Sequence, residues 1–395
     1  MVIKQAVILA GGKGSRLAER TRSIPKPMVE VAGQPFLGYL LSLLKQQGIE
    51  EVILLTGYLG EVIHNYVGDG AAWGLRVQYS HSAIEDETGR RLALATDSLY
   101  ENFLLMYADV YWPLPLQSMA DIFTAKNDAV ALVAAYANRD GITRDNLQAG
   151  EDGQIQLYDK TRSAPGLTHV DSGYLLCNRR LLDFFPDDNF SLEKQVYPRL
   201  VEDGLMYAFS SEHRHYSIDT VEKVETATRF FNSGKTILLD RDGTINRAAE
   251  RWQYISNWDE FEFLDGALEA LQLLKRAGYR LVVVSNQAGI ARGMVTHNQV
   301  DDIHARLQRV CMEHGCPIDA FYYCPHGWDE GCFCRKPSPG LLFWAANEMA
   351  FDLEHAVMIG DNDSDMGAAE NAGVRGIRVD GESSLLDASK ILVGS

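Results

Sequence analysis

Short apolar runs alternate with amphipathic stretches along the whole chain, and this alternation restricts the fold more than any other feature. Runs of this length, bounded by polar residues, are typical of strands buried on both faces of a sheet. They occupy residues 7–10, 52–56, 103–107, 129–134, 237–240, 281–285 and 357–360. Helical periodicity lies between them, for example at residues 35–47, 268–277, 300–313 and 340–350. The pattern predicts α/β architecture with mainly parallel sheets.

The length of the chain points to more than one domain. At 395 residues, two or three domains of typical size are expected. The alternation restarts after Thr236, where an apolar run leads into a new acidic motif, and a short Asn-Ser-Gly connection precedes it. We therefore expect one domain over residues 1–232 and a second over residues 235–395.

The charge of the chain limits its partners. A formal net charge of −17 argues against binding to a nucleic-acid backbone. No apolar run is long enough to span a bilayer, and the run at residues 7–10 continues into a glycine loop instead of a cleavage site. We expect a cytoplasmic protein that acts on anionic small molecules, without nucleic-acid or membrane partners. A homo-oligomer is compatible with the sequence.

Two aspartates end the apolar run at residues 237–240. Asp240 and Asp242 are separated by one residue and followed by Gly-Thr. Ligands bind at the carboxyl ends of strands in open α/β sheets, where a carboxylate can attack phosphorus and form an acyl phosphate. A second carboxyl group can protonate the leaving alkoxide and later activate water. Because carboxylates repel a phosphate dianion, this chemistry requires a divalent cation.

Three later segments carry the remaining groups that a phosphatase needs. They contain Ser285 and Asn286 at the end of one apolar run, Lys336 in a Cys-Arg-Lys-Pro stretch, and Asp361 after the run at residues 357–360. A serine hydroxyl and a lysine can bind phosphoryl oxygens, and Asp361 can complete a magnesium site.

The order of these four motifs resembles the haloacid dehalogenase (HAD) superfamily over residues 236–380. The resemblance implies a HAD-like Rossmannoid phosphatase domain with Asp240 as nucleophile and Asp242 as general acid/base. It also implies Mg²⁺ held by Asp240, the backbone carbonyl of Asp242, and Asp361, with Asp365 just outside the ligands.

A cluster of cysteines and one histidine predicts a second metal site. Cys324, His326, Cys332 and Cys334 lie within eleven residues, with the spacing C-x-H-x₅-C-x-C. Four ligands of this kind suit tetrahedral Zn²⁺, and because none is spare the site is expected to be closed and structural. We expect the zinc to fix the loop that carries Lys336. Free buried thiols are the alternative.

The zinc motif together with Arg292 narrows the resemblance to the histidinol-phosphate and D,D-heptose-bisphosphate phosphatase branch. In that branch, Arg292 and the zinc loop would help to shape the substrate site. Only five residues separate His326 from Cys332, and such a short loop is more similar to the histidinol-phosphate members.

The N-terminal part begins with a glycine loop followed by basic residues. Gly11, Gly12 and Gly14 follow the first apolar run, and Arg16 and Lys26 come after them. Glycines allow the backbone N–H groups to approach a polyphosphate, and the two cations can neutralise a leaving pyrophosphate. A dinucleotide fingerprint, the alternative, would require G-x-G-x-x-G and a helix directly after it.

Residues 3–230 resemble the sugar-1-phosphate nucleotidyltransferases, which implies a Rossmann-like (GT-A-like) domain. The resemblance assigns base and sugar contacts to a set of polar and glycine positions, and a second Mg²⁺ site to two aspartates. The contacts are Glu87, Gly89, Lys160, Gly173 and Glu193, and the metal ligands are Asp109 and Asp219. The chain departs from the family at Ala108, where glycine is usual, and at Arg90 and Arg91, which replace small residues. An alignment slip of two would put Ser217 in place of Asp219.

In detail, the N-terminal part is most similar to heptose-1-phosphate guanylyltransferases. The combined resemblances imply removal of the 7-phosphate of D-glycero-D-manno-heptose 1,7-bisphosphate, followed by transfer of GMP from GTP to the 1-phosphate. Mannose or N-acetylmuramate 1-phosphate remain alternative sugars. A further alternative is a histidinol-phosphate-type phosphatase joined to a non-catalytic module.

Overall fold

The computed structural model describes residues 1–17, 21–139, 141–250, 252–380 and 382–394. It divides into two compact units, Met1–Thr228 and Arg229–Ser395. Both units are α/β, which confirms the predicted fold class. No helix within the described ranges is long and apolar enough to cross a membrane.

The N-terminal unit is built on a seven-stranded sheet with the strand order β12-β8-β11-β6-β1-β4-β5. Every neighbouring pair in this sheet is parallel except those that involve β11. The strands of the unit are β1 Gln5–Leu9, β2 Glu30–Val31, β3 Gln34–Pro35, β4 Glu51–Thr56, β5 Arg76–His81, β6 Asn102–Tyr107, β7 Val110–Tyr111, β8 Ala131–Tyr136, β9 Leu147–Ala149, β10 Ile155–Tyr158, β11 Val170–Asn178, β12 Met206–Ser211 and β13 Tyr216–Ser217.

Helices cover this sheet because their apolar residues recur on one face. In α1, for example, Leu37, Leu40, Leu41 and Leu44 are buried at helical spacing. The helices are α1 Phe36–Gln46, α2 Gly60–Val67, α3 Thr88–Ala93, α4 Leu116–Ala125, α5 Tyr197–Glu202 and α6 Val221–Phe231. A π-helical turn, Leu192–Val196, precedes α5. Such turns occur frequently at functional sites.

The C-terminal unit contains a five-stranded, fully parallel sheet with the strand order β16-β15-β14-β17-β18. Its strands are β14 Thr236–Leu239, β15 Arg280–Asn286, β16 Ala320–Cys324, β17 Ala356–Gly360 and β18 Arg375–Arg378. Its helices are α7 Ala267–Arg276, α8 His297–Glu313, α9 Gly340–Met349, α10 Asp363–Asn371 and α11 Leu385–Gly394.

Two apolar cores lie on the two faces of this sheet, because successive side chains of a strand point to opposite faces. Ile237 and Leu281 belong to one core, and their chain neighbours Leu238 and Val282 belong to the other. Burial on both faces explains why these strands have continuous apolar sequences. The carboxyl ends of β14, β15 and β17 consequently meet at one edge.

Candidate active sites

The first site lies at the carboxyl edge of the C-terminal sheet. Asp240 directly follows the central strand β14, and its backbone N–H donates to the carbonyl of Ile359 in β17 (2.9 Å). Ser285 is the second-last residue of β15 on the other side of β14, and Asp361 follows β17. The parallel pairing brings these residues together although they are far apart in sequence. Asp240 and Ser285 line a shared cavity of about 280 Å³ together with Asp242, Asn286 and Lys336.

A buried lysine bridges two carboxylates in this site. Lys336 Nζ lies 2.8 Å from Asp240 Oδ1 and 2.5 Å from Asp365 Oδ1, and it also donates to the carbonyl of Val284. Asn286 holds the Lys336 backbone, since its side chain donates to the Lys336 carbonyl and accepts from the Lys336 N–H, both at 3.0 Å. Asn286 therefore positions the lysine.

Burial and charge oppose each other among these groups. Burial raises the pKa of Asp240, and the attraction of Lys336 only partly offsets this effect. Burial disfavours the Lys336 ammonium, but Asp240 and Asp365 outweigh it and raise the pKa of the lysine. A second cation beside Asp240 would favour its ionised, nucleophilic form.

Asp240, Asp361 and Asp365 each offer a carboxylate oxygen to a group of ligand atoms that lie within 4.8 Å of one another. Asp361 Oδ1 is buried and has no hydrogen-bond partner in the described part of the chain. Unlike Asp361 Oδ1, Asp365 Oδ2 already has a hydrogen-bond partner: it accepts from the backbone N–H of Asn362 and caps α10. The donor set fits a hard divalent cation held mainly by Asp240 and Asp361. A side chain at Gly243 would collide with Asp361, which explains the glycine after Asp242.

Asp242 is held by three residues that the sequence analysis did not single out. Arg241 donates to both carboxylate oxygens, with the closest contact at 2.8 Å. Asn246 and Gln287 donate at 2.9 and 2.8 Å. Although burial acts in the opposite direction, Arg241 lowers the pKa of Asp242. Arg241 is itself fully buried and contacts His304 Nε2 at 3.3 Å.

The predicted zinc ligands converge. Cys324 Sγ lies 3.5 Å from His326 Nδ1 and 3.6 Å from Cys332 Sγ, and Cys334 Sγ lies 3.3 Å from Cys324 Sγ and 3.2 Å from His326 Nδ1. Ligands about 2.1–2.3 Å from a tetrahedral zinc ion are separated by roughly 3.5–3.8 Å. Two of the four measured separations, 3.3 and 3.2 Å, are slightly shorter than this range, and the four atoms lie close enough together to bind one metal ion. Cys334 is two residues from Lys336, so the cluster lies next to the lysine loop.

Arg292 lies outside the cavity of Asp240, in an adjoining cavity of about 200 Å³. Its guanidinium lies over the rings of Trp252, Tyr254 and Trp328, at 5.2, 5.9 and 5.3 Å from their centroids. Tyr254 and Arg335 line both cavities. Trp328 lies in the zinc loop, between His326 and Cys332, so Arg292 packs against that loop. Its predicted role in shaping the substrate site stays a prediction.

The second site is a cavity of about 460 Å³ at the carboxyl ends of β1 and β6. Most of the predicted nucleotide-site residues line it. They are Gly11, Gly12, Gly14, Arg16, Lys26, Glu87, Asp109, Lys160 and Glu193. Gly14 has φ +63° and faces Lys26, where a side chain would collide with the lysine. Three predicted residues are not in its lining: Gly89 packs against the ring of Phe190, Gly173 packs against Tyr107, and Asp219 contacts Lys26.

A two-stranded ribbon brings the two predicted metal aspartates together. Strand β7 follows Asp109, and β13 precedes Asp219; the two strands pair so that Val110 lies opposite Ser217. Lys26 Nζ contacts Asp109 Oδ2 and lies 2.6 Å from Asp219 Oδ1. Asp219, and not the buried Ser217, therefore offers a carboxylate here. Burial of Asp219 is outweighed by Lys26, Lys223 and Arg16, which lower its pKa.

Glu193 is the centre of a second polar network in this cavity. Its carboxylate lies 3.1 Å from Lys160 Nζ and accepts hydrogen bonds from Tyr107 (2.7 Å), Thr88 (2.8 Å) and Ser191 (2.6 Å). Burial opposes ionisation, but Lys160 and the hydroxyl donors lower the pKa of Glu193. The π-helical turn places this anion beside the lysine that was predicted to contact the sugar phosphate.

Comparison with known proteins identifies both units. Residues 5–221 match the family model described as nucleotidyl transferase, and residues 333–390 match the HAD-hydrolase-like model. A D-glycero-beta-D-manno-heptose-1,7-bisphosphate 7-phosphatase of Pasteurella multocida is 40% identical over 147 residues, which cover 36% of this chain and 78% of that protein.

Solved structures also match the N-terminal part. HddC from Yersinia pseudotuberculosis is 24% identical with a TM-score of 0.49, covering 57% of this chain and 98% of its own. A Bacillus anthracis protein, described as a candidate glucose-1-phosphate thymidylyltransferase, is 18% identical with a TM-score of 0.51. The match covers 57% of this chain and 94% of that protein, and it shows that the N-terminal part of this chain has the same fold.

These findings define an enzyme with a phosphatase part and a nucleotidyltransferase part. The chain belongs to the nucleotidyl transferase family and, in its C-terminal part, to the family of the D-glycero-beta-D-manno-heptose-1,7-bisphosphate 7-phosphatases.

Proposed function

We propose that the chain carries out two steps of nucleotide-activated heptose synthesis. Residues 235–395 remove the 7-phosphate of D-glycero-D-manno-heptose 1,7-bisphosphate, and residues 1–232 transfer GMP from GTP to heptose 1-phosphate. The observation that carries the proposal is the contact of Asp240 with Lys336 at the sheet edge, in a unit 40% identical to a 7-phosphatase of this sugar. The product of that reaction is a sugar 1-phosphate, the acceptor class of the other unit.

In the phosphatase step, Asp240 attacks phosphorus and the bond to the sugar oxygen breaks. Asp242 gives its proton to the leaving oxygen and then takes a proton from the water that hydrolyses the acyl phosphate. Lys336 and Ser285 hold the phosphoryl oxygens, and Asn286 positions Lys336. Arg241, Asn246 and Gln287 orient the Asp242 carboxylate between these two proton transfers.

The metal sites support this assignment. Magnesium bound by Asp240, the Asp242 carbonyl and Asp361 would neutralise charge between the carboxylates and the phosphate. The orphaned oxygen of Asp361 and the cluster of three carboxylates fit such an ion. Zinc at Cys324, His326, Cys332 and Cys334 would be structural, because the four ligands complete its tetrahedron.

In the transferase step, an oxygen of heptose 1-phosphate attacks the α-phosphorus of GTP and pyrophosphate leaves. Backbone N–H groups of Gly11, Gly12 and Gly14 cradle the polyphosphate, and Arg16 and Lys26 neutralise the leaving group. Lys160 binds the phosphate of the sugar. Asp109 and Asp219 fit a magnesium ion bound through two carboxylates and substrate phosphates.

The remaining base and sugar contacts are proposed for Glu87, Glu193 and the glycines Gly89 and Gly173. Gly89 and Gly173 would act by allowing Phe190 and Tyr107 to pack closely behind the cavity. Because nucleoside triphosphates and phosphorylated sugars are cytoplasmic metabolites, we propose that the enzyme works in the cytoplasm. We propose no nucleic-acid or membrane partner for it.

The test measures phosphate release from the α and β anomers of heptose 1,7-bisphosphate and from histidinol phosphate. GTP, UTP, CTP and dTTP are then added in turn, and pyrophosphate is measured. We expect release from a heptose anomer followed by GTP-dependent pyrophosphate. Faster hydrolysis of histidinol phosphate, with no pyrophosphate from any nucleotide, would contradict both steps.

A further inference from the structure

One buried cation in the N-terminal cavity has no part in the chemistry described above. Arg91, in α3, is only 5% exposed, yet it lines the same cavity as the glycine loop. Its guanidinium lies directly against Gly11 and Gly57: a Cβ atom on either glycine would be 2.1 or 2.4 Å from Arg91 Nη1. The lack of side chains at these two glycines leaves room for the guanidinium, so the surrounding residues define the position of Arg91.

Arg91 uses only some of its donors within the protein. Nη1 donates to Ser82 Oγ at 2.5 Å and to the carbonyl of Thr56 at 3.4 Å, and Nη2 donates to the carbonyl of Ile84 at 3.2 Å. A guanidinium has five N–H groups. The Nε–H and one Nη2–H, on neighbouring nitrogens of one plane, therefore have no acceptor among the described residues.

The charge of Arg91 is also uncompensated by a direct partner. None of the acceptors that it reaches among the described residues is a carboxylate, and Asp86 and Glu85 act only at longer range. Burial, which outweighs these two acids, lowers the pKa of the guanidinium. Burying an unpaired cation is costly, so a group that completes its hydrogen bonds when substrate is bound would give the position a function.

Chemistry divides the cavity into three regions. Arg16 and Lys26 both contact Asp219, and this group is the region proposed for the phosphates. Lys160 contacts Glu193, and this pair is the region proposed for the sugar phosphate. Arg91 lines the third region together with Ile84, whose side chain is apolar and 41% exposed. An apolar surface beside unused N–H donors suits a flat heteroaromatic ring, which leaves this region for the base of the nucleotide.

We infer that Arg91 selects the nucleobase by donating a pair of hydrogen bonds to two adjacent acceptors on its edge. This inference rests on the proposed transferase and specifies how it chooses its nucleotide. Guanine presents O6 and N7, which an arginine fork matches, whereas adenine presents one acceptor beside an amino donor. Thr56, Ser82 and Ile84 hold the fork in orientation.

The first experiment compares GTP and ATP in the full-length enzyme and in Arg91→Lys and Arg91→Gln, with Arg90→Gln as the matched control from the same helix. We expect the ratio of kcat/KM for GTP to that for ATP to fall about 10- to 100-fold in both Arg91 variants. Lysine keeps the charge but loses the planar fork. The control should keep the ratio of the unaltered enzyme. An equal fall for both nucleotides would mean that Arg91 only supports the loop, and would overturn the inference.

The second experiment uses the unaltered enzyme and therefore does not depend on the folding of a variant. 7-Deaza-GTP lacks the N7 acceptor, so we expect it to bind at least 10-fold more weakly than GTP in calorimetry. Equal affinities would overturn the role of Arg91. Weaker binding of 7-deaza-GTP than of GTP, with no pyrophosphate released from GTP with any sugar phosphate, would instead contradict the proposed transferase and support the N7 contact inferred for Arg91.

Discussion

The two active sites contain the same small motif, a lysine between two aspartates, in different surroundings. In the phosphatase unit, the side chains of Lys336, Asp240 and Asp365 are 1%, 9% and 1% exposed. In the transferase unit, those of Lys26, Asp109 and Asp219 are 11%, 27% and 14% exposed. Burial raises the pKa of Asp240, whereas the pKa of Asp219 is lowered because three cations outweigh burial.

This difference matches the two kinds of chemistry. A carboxylate that attacks phosphorus benefits from a buried environment with little water. There, a nearby cation can shift the carboxyl group to its ionised, nucleophilic form. A carboxylate whose proposed role is to hold a metal ion, which in turn binds the polyphosphate, must stay ionised while large charged substrates enter and leave. On the proposed mechanisms, the same residue types would serve covalent catalysis in one unit and electrostatic positioning in the other.

The substitution Asp240→Asn should separate the activities of the two sites most strongly. Removing the proposed nucleophile should lower phosphate release from heptose 1,7-bisphosphate at least about 10⁴-fold, while pyrophosphate release from GTP with heptose 1-phosphate stays within about twofold. Both rates are measured on one preparation. If phosphatase activity persisted, Asp240 would not be the attacking group.

The reciprocal change is Asp109→Asn, with Asp121→Asn on the exposed face of α4 as control. We expect the transferase rate to fall about 10²- to 10³-fold, because one charge of the proposed metal-binding pair is lost. The control should keep its rate, and all variants should keep phosphatase activity. An N-terminal unit that is inert in the unaltered protein would have no activity to lose.

Loss of zinc should affect one unit only. Cys332→Ser removes one of four ligands and should lower the zinc content from one ion per chain towards zero. We expect the thermal midpoint of the C-terminal unit to fall by roughly 5–10 °C, with the N-terminal transition unchanged. Cys316→Ser, which changes a cysteine outside the cluster, should retain zinc. Full zinc occupancy in Cys332→Ser would contradict the assignment of the four-residue cluster as the zinc site.

The smallest expected effect is on acid stability. Burial first, and then Arg241, lowers the pKa of His304 to about 3, so the folded protein keeps this histidine neutral. Unfolded chains bind the proton below about pH 6.5, and stability is therefore lost as pH falls from 6.5 towards 3. Between pH 7 and pH 5 the loss should be about 2 kcal/mol. His304→Gln keeps a neutral acceptor for Arg241 but cannot be protonated. The free energy of unfolding, measured in urea at pH 7 and at pH 5, should therefore lose the part of its pH dependence that His304 causes. An unchanged pH dependence in that variant would mean that His304 is not its source.

The sequence alone was sufficient where chemistry follows the end of a strand. Asp240, Ser285 and Asp361 could be placed together because apolar runs predict parallel strands, whose carboxyl ends meet at one edge. The zinc ligands are local in sequence, so their spacing predicts their convergence. The predicted fold class was confirmed for the same reason: the buried strands have continuous apolar sequences.

Buried cations were the main features that the sequence could not reveal. Arg241 contacts a histidine 63 positions away, and Arg91 lies under two glycines from different loops. Charged residues are usually exposed, so neither position gives a sign of burial in the sequence. The choice between Ser217 and Asp219 depended on strand register, which short strands do not specify until they pair.

The ribbon of β7 and β13 makes the transferase site more sensitive to insertions than to most substitutions. Its two strands are each two residues long. The Ile218 N–H donates a hydrogen bond of 3.0 Å to the Asp109 carbonyl and so holds the two strands in register. Side chains alternate with a period of two, so a single inserted residue in β13 would turn Asp219 away from Asp109 and Lys26. Variation in length among natural relatives should therefore be confined to the loops on either side of this ribbon.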